Sequence, residues 1–285
     1  MSDPPAVEKP NPKRKLFFGL FIFPLLIAVG MAALLCTVVF LTHEEETPET
    51  LITAIKSGPP SKRWQKAFEL SNELNTKLGM IRGNSVRREI AHILSDPAHY
   101  DAKTRSYMAL ALSRFEEPEA VETLRKRLAE EEPEVQIHLM WALGNLGAKE
   151  AAGDIDPFLD SENQDLRKVA AYVLGVLGDK KSVPRLKPLL EDPVSDVSWN
   201  AALGLARMGD DSGKDVLMKM LDRSVLASHY SMPKEQIERV MVNAIKGLAQ
   251  IQAEGSLSLL RTLSETDESL KVRQAALEAL KKNRT

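Results

Sequence analysis

Apolar positions recur along most of this chain with two superimposed periods. The shorter is helical: in Asp165-Leu-Arg-Lys-Val-Ala-Ala-Tyr-Val-Leu-Gly-Val-Leu-Gly178 the apolar residues return every three or four positions. The longer is thirty-one residues, because 134–147 repeats the pattern one period earlier and 196–209 one period later. A fixed period between about twenty and fifty residues marks a solenoid. Each unit carries an acidic residue near its start, which favours the helix dipole. Each ends at a glycine, the residue that best takes the left-handed cap. A second helix is predicted after that glycine: over 181–190 the residues Val183, Leu186, Leu189 and Leu190 share one side. Asp192-Pro193 stops it, since a residue before proline is pushed out of the α region. One period is therefore a helical hairpin that buries its apolar face only by stacking on its neighbours. The fold class is all-α, an α-solenoid, with repeats centred on 106–112, 137–146, 168–177, 199–208, 242–251 and 274–280.

The first part of the chain follows a different pattern. From Leu16 to Leu41 there is no charged residue, and an apolar run beyond about eighteen residues reads as a transmembrane helix. Lys13-Arg14-Lys15 precedes the run and His43-Glu44-Glu45-Glu46 follows it. The positive-inside rule then places the N-terminus in the cytoplasm and the rest of the chain outside, in the periplasm if the source is bacterial. The run exceeds the apolar core of a signal peptide, about 7–15 residues, and lacks a small-x-small cleavage site, so a retained anchor is expected. The expected organisation is a cytoplasmic tail over 1–15, a transmembrane helix over 16–41 and a connector over 42–60. An atypical N-terminal cap over 61–102 and the repeats over 103–285 follow. Within the repeats the step from Leu205 to Leu248 is twelve residues longer than the period. The excess is a polar insertion at 224–236, expected to be a surface loop, and insertions of this kind often mark a binding face.

The segments Val169-Ala-Ala-Tyr-Val-Leu-Gly-Val-Leu-Gly178, Val183-Pro-Arg-Leu and Ala201-Ala-Leu-Gly-Leu-Ala-Arg-Met-Gly209 resemble HEAT repeats. They are similar to the short form named after the phycobilisome lyase family, and the likeness runs from about Lys103 to Leu280. It implies architecture first, because such repeats serve scaffolds, pigment lyases and other enzymes. It also implies that the helix carrying Ala-Ala-x-x-Leu-Gly lines the concave surface. The residues expected on that surface are Ser106, Tyr107 and Leu110; Ile137, His138 and Trp141; Lys168, Val169 and Tyr172; and Trp199, Asn200 and Leu203. Tyr107, Trp141, Tyr172 and Trp199 would then form a ladder, with His138 and Asn200 beside it. Such rings either anchor a partner or fill the gaps between hairpins.

Composition narrows the function. Residues 1–41 carry four basic and two acidic groups, so the net charge of −2 leaves −4 on the remainder. A mildly acidic remainder argues against nucleic-acid binding, which needs a basic stripe. The one cysteine, Cys36, lies in the apolar run, so no disulfide, thiolate metal site or cysteine nucleophile exists beyond it. Neither HExxH, GxSxG nor a glycine-rich phosphate loop is present. Some proteins with these repeats are iron hydroxylases that use His-Glu pairs on several units. Here the only such pair is His43-Glu44, outside the repeats. No catalytic, cofactor-binding or metal-binding residue is therefore assigned. The expectation is a non-enzymatic, membrane-anchored scaffold that binds a protein or peptide through Tyr107, His138, Trp141, Tyr172, Trp199 and Asn200. A pigment-lyase-like enzyme is the alternative that the resemblance implies.

Overall fold

The charge-free run is helical over its described residues, from Phe18 onward. The computed structural model describes residues 18–42, 47–76, 84–228, 230–253 and 255–282. A π-helical turn (Phe18–Ile22) leads into α1 (Phe23–Thr42). Pro24, which cannot donate to a carbonyl in the turn before it, comes just after this π-helical turn. Leu20–Val38 is long and apolar enough to cross a membrane, and none of it is buried. Its one described hydroxyl, Thr37, donates to the carbonyl of Ala33 at 2.8 Å, which satisfies a polar group inside an apolar helix. The tail over 1–15, the basic cluster and the acidic flank at 43–46 lie outside the described residues.

Residues from Pro48 onward form a separate unit. It opens with α2 (Pro48–Ser57) and α3 (Pro60–Thr76). The connector expected over 42–60 is thus partly core: Leu51, Ile52 and Ile55 of α2 are buried against the next helix. Gly58-Pro59-Pro60 ends one helix and begins another. The Gly58 N–H donates to Ala54 O at 2.9 Å, and Pro60 takes the first helical position, where proline is favoured.

Hairpins then follow in series. Their first helices are α5 (Ala102–Leu112), α7 (Pro133–Leu146), α9 (Gln164–Leu177), α11 (Ser195–Arg207), α14 (Lys234–Gln250) and α16 (Leu270–Lys282). Each of these packs on the one before it, starting from α3, and together they form one layer of the solenoid. The other layer holds α4 (Asn84–Leu94), α6 (Pro118–Leu128), α12 (Lys214–Lys219) and α15 (Leu257–Thr266). Where a continuous second helix was expected over 181–190, the chain alternates 3-10 turns (Lys180–Ser182, Lys187–Glu191) with a short helix, α10 (Val183–Leu186). The hairpin before it is built alike, with α8 (Ala152–Ile155) between 3-10 turns. Pro157, Pro184 and Pro188 explain this, because proline cannot donate to the carbonyl four residues back. Leu186 and Leu189 are nonetheless buried.

The glycines do what the period demands. Gly147, Gly178 and Gly209 have φ of 64°, 66° and 78° and close their helices in the left-handed region. Gly175 and Gly204 serve differently: a Cβ on Gly175 would lie 2.5 Å from the Gly204 Cα. No side chain fits there, so α9 and α11 approach through their backbones.

The repeats are also clamped at one register position. Arg105, Gln136, Arg167 and Ser198 stand thirty-one residues apart, and three of them reach from a first helix to backbone carbonyls in a loop or at a helix end. Arg105 Nε donates to Tyr100 O at 3.1 Å, and Gln136 Nε2 to Leu128 O at 3.1 Å. Arg167 donates to Ser161 O and to Asp192, each at 2.8 Å. Burial pushes the Asp192 carboxyl up, but hydrogen bonds from Arg167 and the Val194 N–H outweigh it and hold the group below the usual carboxylate range. Two stretches of core meet at α11, one containing Val197 and Leu205, the other Trp199 and Ala202.

Candidate functional site

The first-helix layer carries rings on consecutive helices. Phe68 on α3 meets Tyr107 on α5 edge-on, with centroids 5.3 Å apart, and Tyr107 lies 6.4 Å from the His138 ring on α7. Trp141 on α7 stacks on Tyr172 of α9 at 4.8 Å, and the Arg207 guanidinium of α11 sits 5.4 Å from the Tyr172 ring centre. Trp199 on α11 meets Tyr230 edge-on at 5.3 Å. Trp64 of α3 lies under the Lys103 ammonium at 3.3 Å. The row therefore falls into clusters rather than one continuous ladder.

Register explains the breaks. Trp141 and Tyr172 are one period apart, so neighbouring helices bring them together. Tyr107 shares its register with His138 and Asn200, three positions earlier in the repeat. Trp199 shares its register with Ser106, which is buried, and with Ile137 and Lys168, which are half-buried. Trp199 itself belongs to the second stretch of core, meets the Tyr230 ring and is 9% exposed. Tyr107, Trp141 and Tyr172 are half-buried and pack against the core. The four rings expected as one exposed ladder thus divide: three open to the surface, and Trp199 belongs to the packing. Ser106 and Val169, also expected on the surface, are buried.

The two polar members are tied to backbone. His138 Nδ1 is 2.8 Å from Glu134 O; a carbonyl only accepts, so Nδ1 carries a proton in this contact. Asn200 Nδ2 donates to Lys168 O at 3.1 Å and joins α11 to α9.

Sequence reasoning missed Phe68 and Tyr230. Phe68 lies in the cap helix, where the period is broken, although its 45% exposure makes it the most open described ring of the solenoid. Tyr230 lies in the insertion, which is only partly a loop. α13 (Arg223–Ser228) buries Leu226 and is held by Arg223 to Asp267 at 2.7 Å. α14 begins at Lys234. His229 lies outside the described residues. A mixed-charge groove of about 590 Å³ between α14 and α16, lined by Glu235, Glu238, Arg239, Lys246, Lys271 and Glu278, lies apart from the rings. Among the described residues no group of three or more His, Cys, Asp or Glu side chains is placed to hold a metal ion. What the ring face offers is a shallow, extended surface of half-buried aromatics and fixed dipoles, suited to contact rather than to bond making.

The family match agrees with the fold of stacked helical hairpins. The family described as HEAT repeats matches residues 89–156 and 155–227. No curated protein matches the sequence. Among solved structures, the complex of CpcE and CpcF of phycocyanin lyase from Nostoc sp. PCC7120 is similar at 20% identity, over 85% of this chain and 96% of that one, with a TM-score of 0.56. An engineered protein is similar at 20% identity over 83% and 96%, with a TM-score of 0.43. Human deoxyhypusine hydroxylase in complex with glycerol follows at 15% over 83% and 96%, with a TM-score of 0.36.

Proposed function

From a chain whose residues 89–227 are HEAT repeats, we propose a membrane-anchored scaffold that holds its solenoid outside the cytoplasm and binds a protein or peptide through the ring face. One observation carries the binding half: Tyr107, Trp141 and Tyr172 stay half-open on three consecutive helices in a chain with only 5% aromatic residues. Large rings fixed at their bases present contact area at small entropic cost, the property of interface anchors. The anchoring half is supported by the uncharged run over 16–41 with basic residues before it and acidic residues after it. The likeness to a phycocyanin lyase complex supports a second reading, a pigment-handling enzyme. That reading needs one deep pocket with polar anchors, whereas the rings lie on an extended surface.

A reporter that works only outside the cytoplasm, fused after Thr285, is expected to be active and to sediment with membranes. Activity of a cytoplasm-only reporter would contradict the orientation, and recovery of a soluble chain lacking residues 1–41 would contradict the anchor. Absorbance of the purified protein separates the second reading: a co-purifying chromophore would favour it over the scaffold.

A further inference from the structure

The insertion is fixed at both ends and bridged between them. On one side α13 is held through Arg223 to Asp267 and Glu268; on the other, α14 packs into the repeat series. Between them Ser231 has φ of 51°, a left-handed conformation that a residue with a side chain adopts at a cost. That turn directs Tyr230 onto Trp199, and the Ser195 hydroxyl donates to the Tyr230 hydroxyl at 3.1 Å. Met232 N–H donates to Leu226 O at 3.3 Å, so the strap returns beside α13. Tyr230 itself remains 37% exposed while Trp199 is 9% exposed. The strap thus covers a ring of the layer with a ring of its own, where an internal repeat would use the next helix.

We infer that residues 230–233 form a self-ligand strap: Tyr230 occupies the end of the ring row until an aromatic side chain of the protein partner displaces it and takes Trp199 and the Ser195 hydroxyl. This rests on the ring face being the binding face, and it commits the partner's chemistry. The partner segment presents a tyrosine-like side chain, a ring to meet the indole and a hydroxyl to accept from Ser195. The strained Ser231 turn and the short described anchorage make release local, because α13 and α14 need not move. A strap of this kind lowers apparent partner affinity by the fraction of chains in which it is open.

The test uses the full chain in detergent with Trp64→Phe and Trp141→Phe, so that Trp199 alone fluoresces. In the Tyr230→Ala variant of this protein, acrylamide quenching of Trp199 is expected to rise about twofold or more, as for a locally opened site. The melting temperature is expected to stay within about 2 °C, well under one core contact's worth. N-acetyl-tyrosinamide is then expected to return quenching toward the unmutated level, with N-acetyl-leucinamide ineffective. Unchanged quenching, a large loss of melting temperature, or equal effects of the two amides would each overturn the strap. None of these readings requires the partner or the membrane, so they fail independently of the proposed function.

Discussion

Replacing Arg105 by Met is expected to destabilise the solenoid by about 3–5 kcal/mol, the cost of leaving a buried ion network one partner short. Arg105 and Glu131 are only 4% and 3% exposed at their side chains and are in direct contact. Arg105 also reaches Glu132 at 2.5 Å and Tyr100 O at 3.1 Å, while Arg127 donates to Glu131 at 2.9 Å. A methionine fills the volume but leaves the Tyr100 carbonyl without this donor and Glu131 with Arg127 alone. In a domain of this size the thermal midpoint should fall by roughly 10 °C. The exposed pair Lys56–Glu89, at 2.8 Å, is the comparison. Lys56→Ala should leave the midpoint where it was, because solvated pairs contribute little. Equal losses in the two variants would show that burial does not set the energetics of these junctions.

The second large effect separates the two tryptophans. Trp199→Ala is expected to cost about 3–5 kcal/mol through the cavity it leaves, since the indole is 9% exposed among Ala202, Leu217 and Met241 in the second stretch of core. Trp141→Ala is expected to cost about 1–2 kcal/mol, the scale of an aromatic pair with some apolar area, because only part of that ring is buried. Partner binding should respond the other way. Trp141→Ala should weaken it by about 2 kcal/mol or more. Neighbouring repeats will share the loss at Trp199, as each repeat is supported only by those beside it. Denaturation of the two variants side by side, followed by circular dichroism, reads the difference. A large stability loss at Trp141 as well would make the whole row packing.

Much of this was legible in the chain. The period of thirty-one, the apolar spacing and the glycines at 147, 178 and 209 dictated hairpins, their helix ends and their stacking. What escaped had physical causes. The short helix around Leu51, Ile52 and Ile55 is readable within the connector, but its place in the core is not, because α2 is short and framed by prolines. The second helices at 149–160 and 180–191 carry apolar spacing that fits a helix, but Pro157, Pro184 and Pro188 divide it. For the ring face, Trp141 and Tyr172 could be placed by register alone. The burial of Trp199 was not readable from register, because Ile137 and Lys168 at the same position are half-buried while Ser106 is buried. Phe68 and Tyr230 were not readable, because one sits where the period breaks and the other in a segment the period does not contain.

The claim that matters most is that the partner lies on the ring face. A photoreactive phenylalanine analogue placed at Trp141 and Tyr172 on that face, and at Glu122 and Lys126 on α6 of the other layer, tests it in intact cells. The account predicts one defined crosslinked protein from the first two positions, weakened by Tyr107→Ala in the same chain, and none of that species from α6. The same crosslinked protein from the α6 positions at equal yield, or its indifference to Tyr107→Ala, would contradict it.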